Sequence, residues 1–239
     1  MNHYGATHAG RRRGNNEDAF QIEPALGAAI LADGMGGENC GEVGSAITVE
    51  AITEYLQKAN ARHSLEELAK EAIRDANRRV LAAGRERREC TGMGSTVVLA
   101  LWQLPELLIA NVGDSRAYLF RGGHLRQLSY DQNFANELRT KLGLSEERVR
   151  AMPDAKVLTM AIGSYDQVLI QAHGETLEPG DLVLLCSDGL HGPVDDCAIT
   201  KILDGPGDLR DKVDKLIDRA NENGGPDNVT AVLLEYARG

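Results

Sequence analysis

Aspartates stand at the ends of the apolar runs in this sequence. The run 28–32 leads into Asp33-Gly34, 108–112 into Gly113-Asp114, and 182–187 into Asp188-Gly189. Asp227-Asn228 directly precedes the run 229–234, and Glu17-Asp18 precedes 19–22. Asp-Gly and Asp-Asn are turn formers, so each pair alone predicts only a turn. Together they predict more. If these strands lie side by side with their marked ends at one edge, several carboxylates crowd together, and each raises its neighbours' pKa unless cations neutralise them. Carboxylates, a backbone carbonyl and water form an all-oxygen set suited to Mg²⁺ or Mn²⁺, whereas zinc sites usually draw on His or Cys. Two such ions about 3.5 to 4 Å apart can share a water and lower its pKa, which favours phosphoryl hydrolysis. Arg13 lies four positions before Glu17, and its planar fork can take two phosphate oxygens at once. Arg11 and Arg12 read as a solvated basic tip, and none of the six histidines sits in a metal-ligand pattern.

The elements that must position these groups are short. Apolar runs bounded by turn residues predict strands at 28–32, 96–104, 107–112, 117–120, 168–172, 182–186 and 229–234, with Gly122-Gly123 turning a hairpin into 124–128. Ser64 is placed to cap a helix with Glu67 reaching back, and the apolar stripe runs Leu65, Leu68, Ala69, Ala72, Ile73, Ala76, Val80. Further helices are expected at about 43–58, 134–141, 197–203 and 209–220. Strands in runs and helices in pairs predict an α+β fold with antiparallel sheets rather than alternating βαβ units. The polar stretch 130–159 breaks the strand pattern and reads as a surface flap. No linker or repeat marks a boundary, so 1–239 reads as one domain with a flap subdomain at about 130–160.

Composition narrows the function classes. The net charge of −10 and the 4% aromatic share oppose nucleic-acid or anionic-lipid binding. No apolar segment follows the first basic residues and no run approaches the roughly 18 to 20 apolar residues of a membrane helix, so a cytoplasmic protein is expected. Cys40, Cys90, Cys186 and Cys197 show no CxxC or zinc spacing and are expected to be reduced packing residues. Cys186, two residues from Asp188, reads as a buried strand residue.

Six motifs then carry a resemblance: Arg13-Gly14-Asn15-Asn16-Glu17-Asp18, Asp33-Gly34-Met35-Gly36-Gly37, Thr91-Gly92-Met93-Gly94-Ser95-Thr96, Asn111-Val112-Gly113-Asp114-Ser115-Arg116, Ser187-Asp188-Gly189-Leu190 and Gly225-Pro226-Asp227-Asn228-Val229. Their order and spacing over about 4–236 resemble the PPM (type 2C) metal-dependent protein phosphatases, in particular the stand-alone bacterial catalytic domains. The resemblance implies a four-layer αββα sandwich with metals in a cleft at one end. It implies that Asp33 bridges two Mn²⁺ or Mg²⁺ ions and Gly34 offers its carbonyl to one. Asp188 and Asp227 complete the other, and Asp114 holds a third, weaker ion with Asp188. Asp18 positions metal-bound water, Arg13 grips the phosphate, Glu17 stands behind the ligands, and Gly163 closes the flap onto the core. The implied reaction is hydrolysis of phosphoserine and phosphothreonine in proteins by metal-activated water. The resemblance further implies that the substrates are those of a cognate serine/threonine kinase and that the enzyme is a monomer.

The departures concern the proton donor and the flap. Met35 and Glu38 stand where family members carry a histidine, which makes Glu38, metal-bound water and bulk solvent the alternatives for protonating the leaving alkoxide. Asp131-Gln132 replaces the usual Asp-His, and Met152-Pro153 the usual His-Pro. The rival readings are a metallohydrolase of small phosphomonoesters or phosphotyrosine, and a pseudophosphatase that binds phosphoproteins without turnover.

Overall fold

The computed structural model describes residues 1–36, 40–59, 63–145, 148, 149, 152 and 154–237. Its strands form two wholly antiparallel sheets. One has the order β1-β11-β10-β7-β8, made from β1 (Asn2–His8), β11 (Val229–Glu235), β10 (Leu182–Cys186), β7 (Arg116–Arg121) and β8 (His124–Gln127). The other has the order β2-β3-β5-β6-β9, made from β2 (Asp18–Glu23), β3 (Ala28–Met35), β5 (Val97–Gln103), β6 (Glu106–Val112) and β9 (Gln171–Thr176), with the short β4 (Gly94–Ser95) paired to β3.

Side chains alternate across a strand, and here both faces are dry. On β3, Ala29 and Leu31 point between the sheets, while Ala28, Ile30 and Ala32 point to the helices outside. On β11, Val232 and Leu234 face the other sheet, while Val229, Ala231 and Leu233 face outward. This double burial is why the strands read as unbroken apolar runs. The outer faces are covered by α1 (Gly41–Lys58) and α2 (Leu65–Glu86) on one side, and by α5 (Asp196–Asp204) and α6 (Leu209–Glu222) on the other. Helix α3 (Phe134–Leu142) lies in the flap, and α4 (Asp188–His191) is a single turn after β10. The layers are therefore αββα, as expected. At α2 the capping box forms as the sequence predicts, with Ser64 Oγ accepting from Glu67 N and Glu67 Oε2 accepting from Ser64 N at 2.9 Å. No helix of the described residues is long and apolar enough to cross a membrane.

Two of the longer strands differ most from the sequence expectation. The strand expected at 168–172 is β9 at Gln171–Thr176, because Val168 and Ile170 are apolar for a different reason: they pack against the helix-side core before the strand begins. β1 carries no clear apolar signal, since it is an edge strand with only Tyr4 and Ala6 packed against the helix-side core. The cysteines require a correction: Cys40 and Cys90 are joined by a disulfide with Cα atoms 5.4 Å apart. Each is buried. The turn that leads into α1 and the 3-10 turn Arg88–Cys90 bring them together across 50 residues of chain, so no local spacing reveals the pair. Cys186 is a free buried strand residue as expected, whereas the free Cys197 is exposed and does not pack.

Candidate active site

The marked strand ends do meet. Asp18 and Asp33 are direct partners across the β2–β3 ladder. Asp114 follows β6, Asp188 follows β10, and Asp227 precedes β11. At this end of the sandwich a cavity of about 410 Å³ is lined by Arg13, Asp33, Gly34, Asp114, Asp188 and Asp227 among others. Glu17 also lines it, while Asp18 is buried among hydroxyls from the other sheet.

Each group is held by its neighbours. Asp33 is clamped by the Gly94–Thr96 stretch: Asp33 N donates to Thr96 Oγ1 at 3.0 Å, while Thr96 N and Ser95 Oγ donate to Asp33 O at 2.8 and 3.0 Å. Gly34 must be glycine because a Cβ there would lie 2.0 Å from Gly41 O. Gly189 is fixed similarly, since its Cβ would lie 1.9 Å from Asn228 O. Asp33-Gly34 is thus no turn at all: β3 continues through it to Met35. Arg13 Nη2 donates to Asp227 Oδ2 at 2.9 Å. The loop carrying Arg13 is tied to the base of β11 by Asn228, which accepts from Glu17 N and donates to Ala9 O and Asn15 O at 2.8 to 2.9 Å.

The flap braces Asp114. Gly113 N donates to Gln132 Oε1 at 2.8 Å, Gln132 Nε2 donates to Leu169 O at 2.7 Å, and Asn133 Nδ2 donates to Asp114 Oδ2 at 3.2 Å. Gln132, one of the departures from the family pattern, is therefore a structural strut. On the other side, His191 Nε2 donates to Asp114 O at 3.0 Å. Burial, aided by the Arg116 charge, pushes the His191 pKa well down and keeps the ring neutral. Arg116 itself chelates the buried Asp131, with Nε and Nη2 donating to its two oxygens at 2.7 to 3.1 Å.

The electrostatics are those of a site short of positive charge. Burial first, and the charges of Asp18, Asp188, Asp114 and Asp227 after it, hold the Asp33 carboxyl well above the carboxylate range. Burial raises Asp114 to about 7, helped by the Asp188 charge and opposed by the Asn133 hydrogen bond. Asp18 is pushed to about 6, chiefly by burial, although Thr230 and Ser187 donate to its Oδ2 at 2.6 and 2.8 Å. Its Oδ1 is buried without a partner. Among the described residues no three Asp, Glu, His or Cys side chains close into a cage for one ion. Asp227 turns instead to Arg13, and Asp188 to Lys156 Nζ at 3.3 Å. Crowded carboxylates, an orphaned buried carboxylate oxygen and a carbonyl at Gly34 fit hard divalent cations, which prefer oxygen donors.

The cavity thus gathers Arg13, Asp33, Gly34, Asp114, Asp188 and Asp227, with Asp18 behind them. Glu38 lies outside the described residues, as does Pro153 of the flap. Sequence reasoning assigned no part to Lys156, His191 or Gln132. For Lys156 and His191 no residue pattern could have announced it, since each acts through contacts with segments distant in the chain.

An aspartate-lined cavity at one end of an αββα sandwich defines a phosphohydrolase of the class the motifs imply. The chain belongs to the protein phosphatase 2C family, whose model matches residues 4–234. Over 235 residues it is 33% identical to serine/threonine phosphatase stp of Listeria monocytogenes, spanning 96% of this chain and 93% of that one. The crystal structure of serine/threonine phosphatase Stp1 from Staphylococcus aureus superposes with a TM-score of 0.92 at 32% identity, over 99% of this chain and 95% of that one. The catalytic domain of the serine/threonine phosphatase PstP, solved in complex with two manganese ions, gives a TM-score of 0.88 at 31% identity, over 99% and 98% of the two chains. The fold and the enzyme class expected from the sequence, a protein serine/threonine phosphatase, are those of the family.

Proposed function

We propose that this chain hydrolyses phosphoserine and phosphothreonine in proteins at a centre of two Mn²⁺ or Mg²⁺ ions, with a third held more weakly. The observation that carries the reading is the single cavity lined by Arg13, Gly34 and the carboxylates of Asp33, Asp114, Asp188 and Asp227. Asp33 and the Gly34 carbonyl would hold one ion, Asp33, Asp188 and Asp227 the other, and Asp114 with Asp188 the third. When bound, the ions supply the acidity that makes water a nucleophile at neutral pH.

The chain's own residues do the rest. Arg13 presents its guanidinium to the phosphoryl oxygens, and its pairing with Asp227 fixes where the fork points. Asp18, with Ser187 and Thr230 donating to Oδ2, keeps Oδ1 as a buried acceptor for a water proton. Asn228 and Gln132 hold the Arg13 loop and the Asp114 loop in place. We further propose one domain over 1–239 with a flap at 130–160, acting as a cytoplasmic monomer on the substrates of a cognate serine/threonine kinase. A net charge of −10 favours neither nucleic-acid nor membrane partners. The test is turnover of a phosphothreonine peptide with Mn²⁺, with EDTA, and in Asp188→Ala. Turnover in wild type with Mn²⁺ alone, lost in the other two conditions, is expected; wild type inert with Mn²⁺ would end the proposal.

A further inference from the structure

We infer that Lys156 is a second cationic contact for the substrate's phosphoryl group, working beside Arg13; the inference rests on the phosphatase reading above. Lys156 lines the 410 Å³ cavity and also an adjoining groove of about 580 Å³, whose walls include Asp114, Asp188, Arg139 and Asp195. It therefore stands where a phosphorylated side chain would pass from the groove to the aspartates. Its Nζ is 3.3 Å from Asp188 Oδ2.

The backbone beneath Lys156 is fixed although its side chain is exposed. Ala135 N donates to Ala155 O and Phe134 N to Val157 O, both at 2.9 Å, and Thr159 N donates to Gln132 O at 2.8 Å. These bonds stitch both sides of Lys156 to the segment whose Gln132 and Asn133 grip Gly113 and Asp114. The side chain itself is 76% exposed, and its ion-pair partner among the described residues is Asp188. An exposed ion pair of this kind contributes little as a latch. A flexible ammonium on a rigid base can, by contrast, swing between Asp188 and an incoming anion.

Charge makes the second contact useful. A phosphomonoester brings close to two negative charges at neutral pH into a cavity already walled by carboxylates. Among the described residues Arg13 is the other cation lining that cavity besides Lys156, and it is already tied to Asp227. A divalent cation committed to Asp188 would release the ammonium for phosphate oxygens, where its hydrogen bond is charge-assisted on both sides.

The test uses inorganic phosphate as the probe on the Mn²⁺-loaded protein, in wild type, Lys156→Met and Lys156→Arg, with Arg13→Ala alongside. Lys156→Met is expected to weaken phosphate binding roughly 3- to 10-fold and to raise KM for a phosphothreonine peptide by the same factor. Lys156→Arg should restore most of both, with Mn²⁺ affinity and melting temperature unchanged in the two lysine variants. Phosphate binding unaltered in Lys156→Met would overturn the inference. So would a change confined to Mn²⁺ affinity, which would make Lys156 a counter-ion of Asp188 alone. Either result in an enzyme that still turns over phosphopeptide sinks the lysine and leaves the phosphatase reading standing; loss of wild-type turnover sinks that reading itself.

Discussion

Replacing Asp114 by asparagine should stabilise the metal-stripped protein, by an amount that grows with pH. Burial, with the Asp188 charge, lifts this carboxyl from 3.8 to about 7. In the unfolded chain it titrates at its ordinary value, so between the two the native state binds more protons, and stability falls as pH rises through that window. Fully ionised, the buried carboxylate costs about 4 kcal/mol relative to its protonated form. Asparagine never ionises, and its side-chain oxygen can still accept from Asn133. From about pH 5 to about pH 8 the variant should therefore gain about 2.5 kcal/mol on wild type. Urea unfolding in EDTA at the two pH values would read this as a midpoint difference that widens by about 1 M. Saturating Mn²⁺ should reverse the order, because a ligand that binds the native state stabilises the chain able to hold it. A gap that stays constant with pH, or that widens toward acid, would refute the argument that Asp114 is a desolvated carboxylate awaiting a cation.

Gly34→Ala should fail to fold or lose more than about 3 kcal/mol, because its Cβ meets Gly41 O at 2.0 Å and Glu17 O at 2.7 Å, both backbone atoms; thermal unfolding reads this directly. Asn228→Ala leaves Glu17 N, Ala9 O and Asn15 O without partners and should cost about 1 to 3 kcal/mol; a rise in KM larger than the fall in kcat would show that the Arg13 loop has come loose. Reducing the Cys40–Cys90 bond should cost up to about 4 kcal/mol from the loop of 50 residues it closes, seen as a lower melting temperature with reductant that Cys40→Ser shows without it.

The fold was legible in the sequence where burial is uniform. β6, β10 and β11 are dry on both faces, so their apolar runs announce them within a residue; the β3 run announces its start, though the strand continues three residues past it to Met35, and α2 announces itself through Ser64, Glu67 and one stripe. Edge strands have no such signature. β1 and β9 are held by ladder hydrogen bonds to β11 and β6 with much of their side-chain surface in water, and backbone bonding does not depend on which side chains are present. The disulfide was illegible for a related reason: the partners are neighbours only after α1 and the 88–90 turn have docked.

The aspartates show how a correct conclusion can stand on an inexact local reason. Each Asp-Gly pair reads as a turn, and the site emerges from their number. In the structure, Gly113 does turn, with φ at +94°, yet Gly34 lies within a strand and Gly189 within a helical turn. Those two are glycine because another backbone passes within 2.0 Å of where a Cβ would be: Gly41 O above Gly34, and Asn228 O above Gly189. Close backbone approach is also what packs α1 and the Asp227-Asn228 segment against the strand ends, and so draws the carboxylates into one cavity. The dipeptide therefore marks the site through the same crowding that makes it need cations. Lys156 has no comparable signature, because its place beside Asp188 depends on the flap pairing of 132–135 with 155–159, a property of the folded chain.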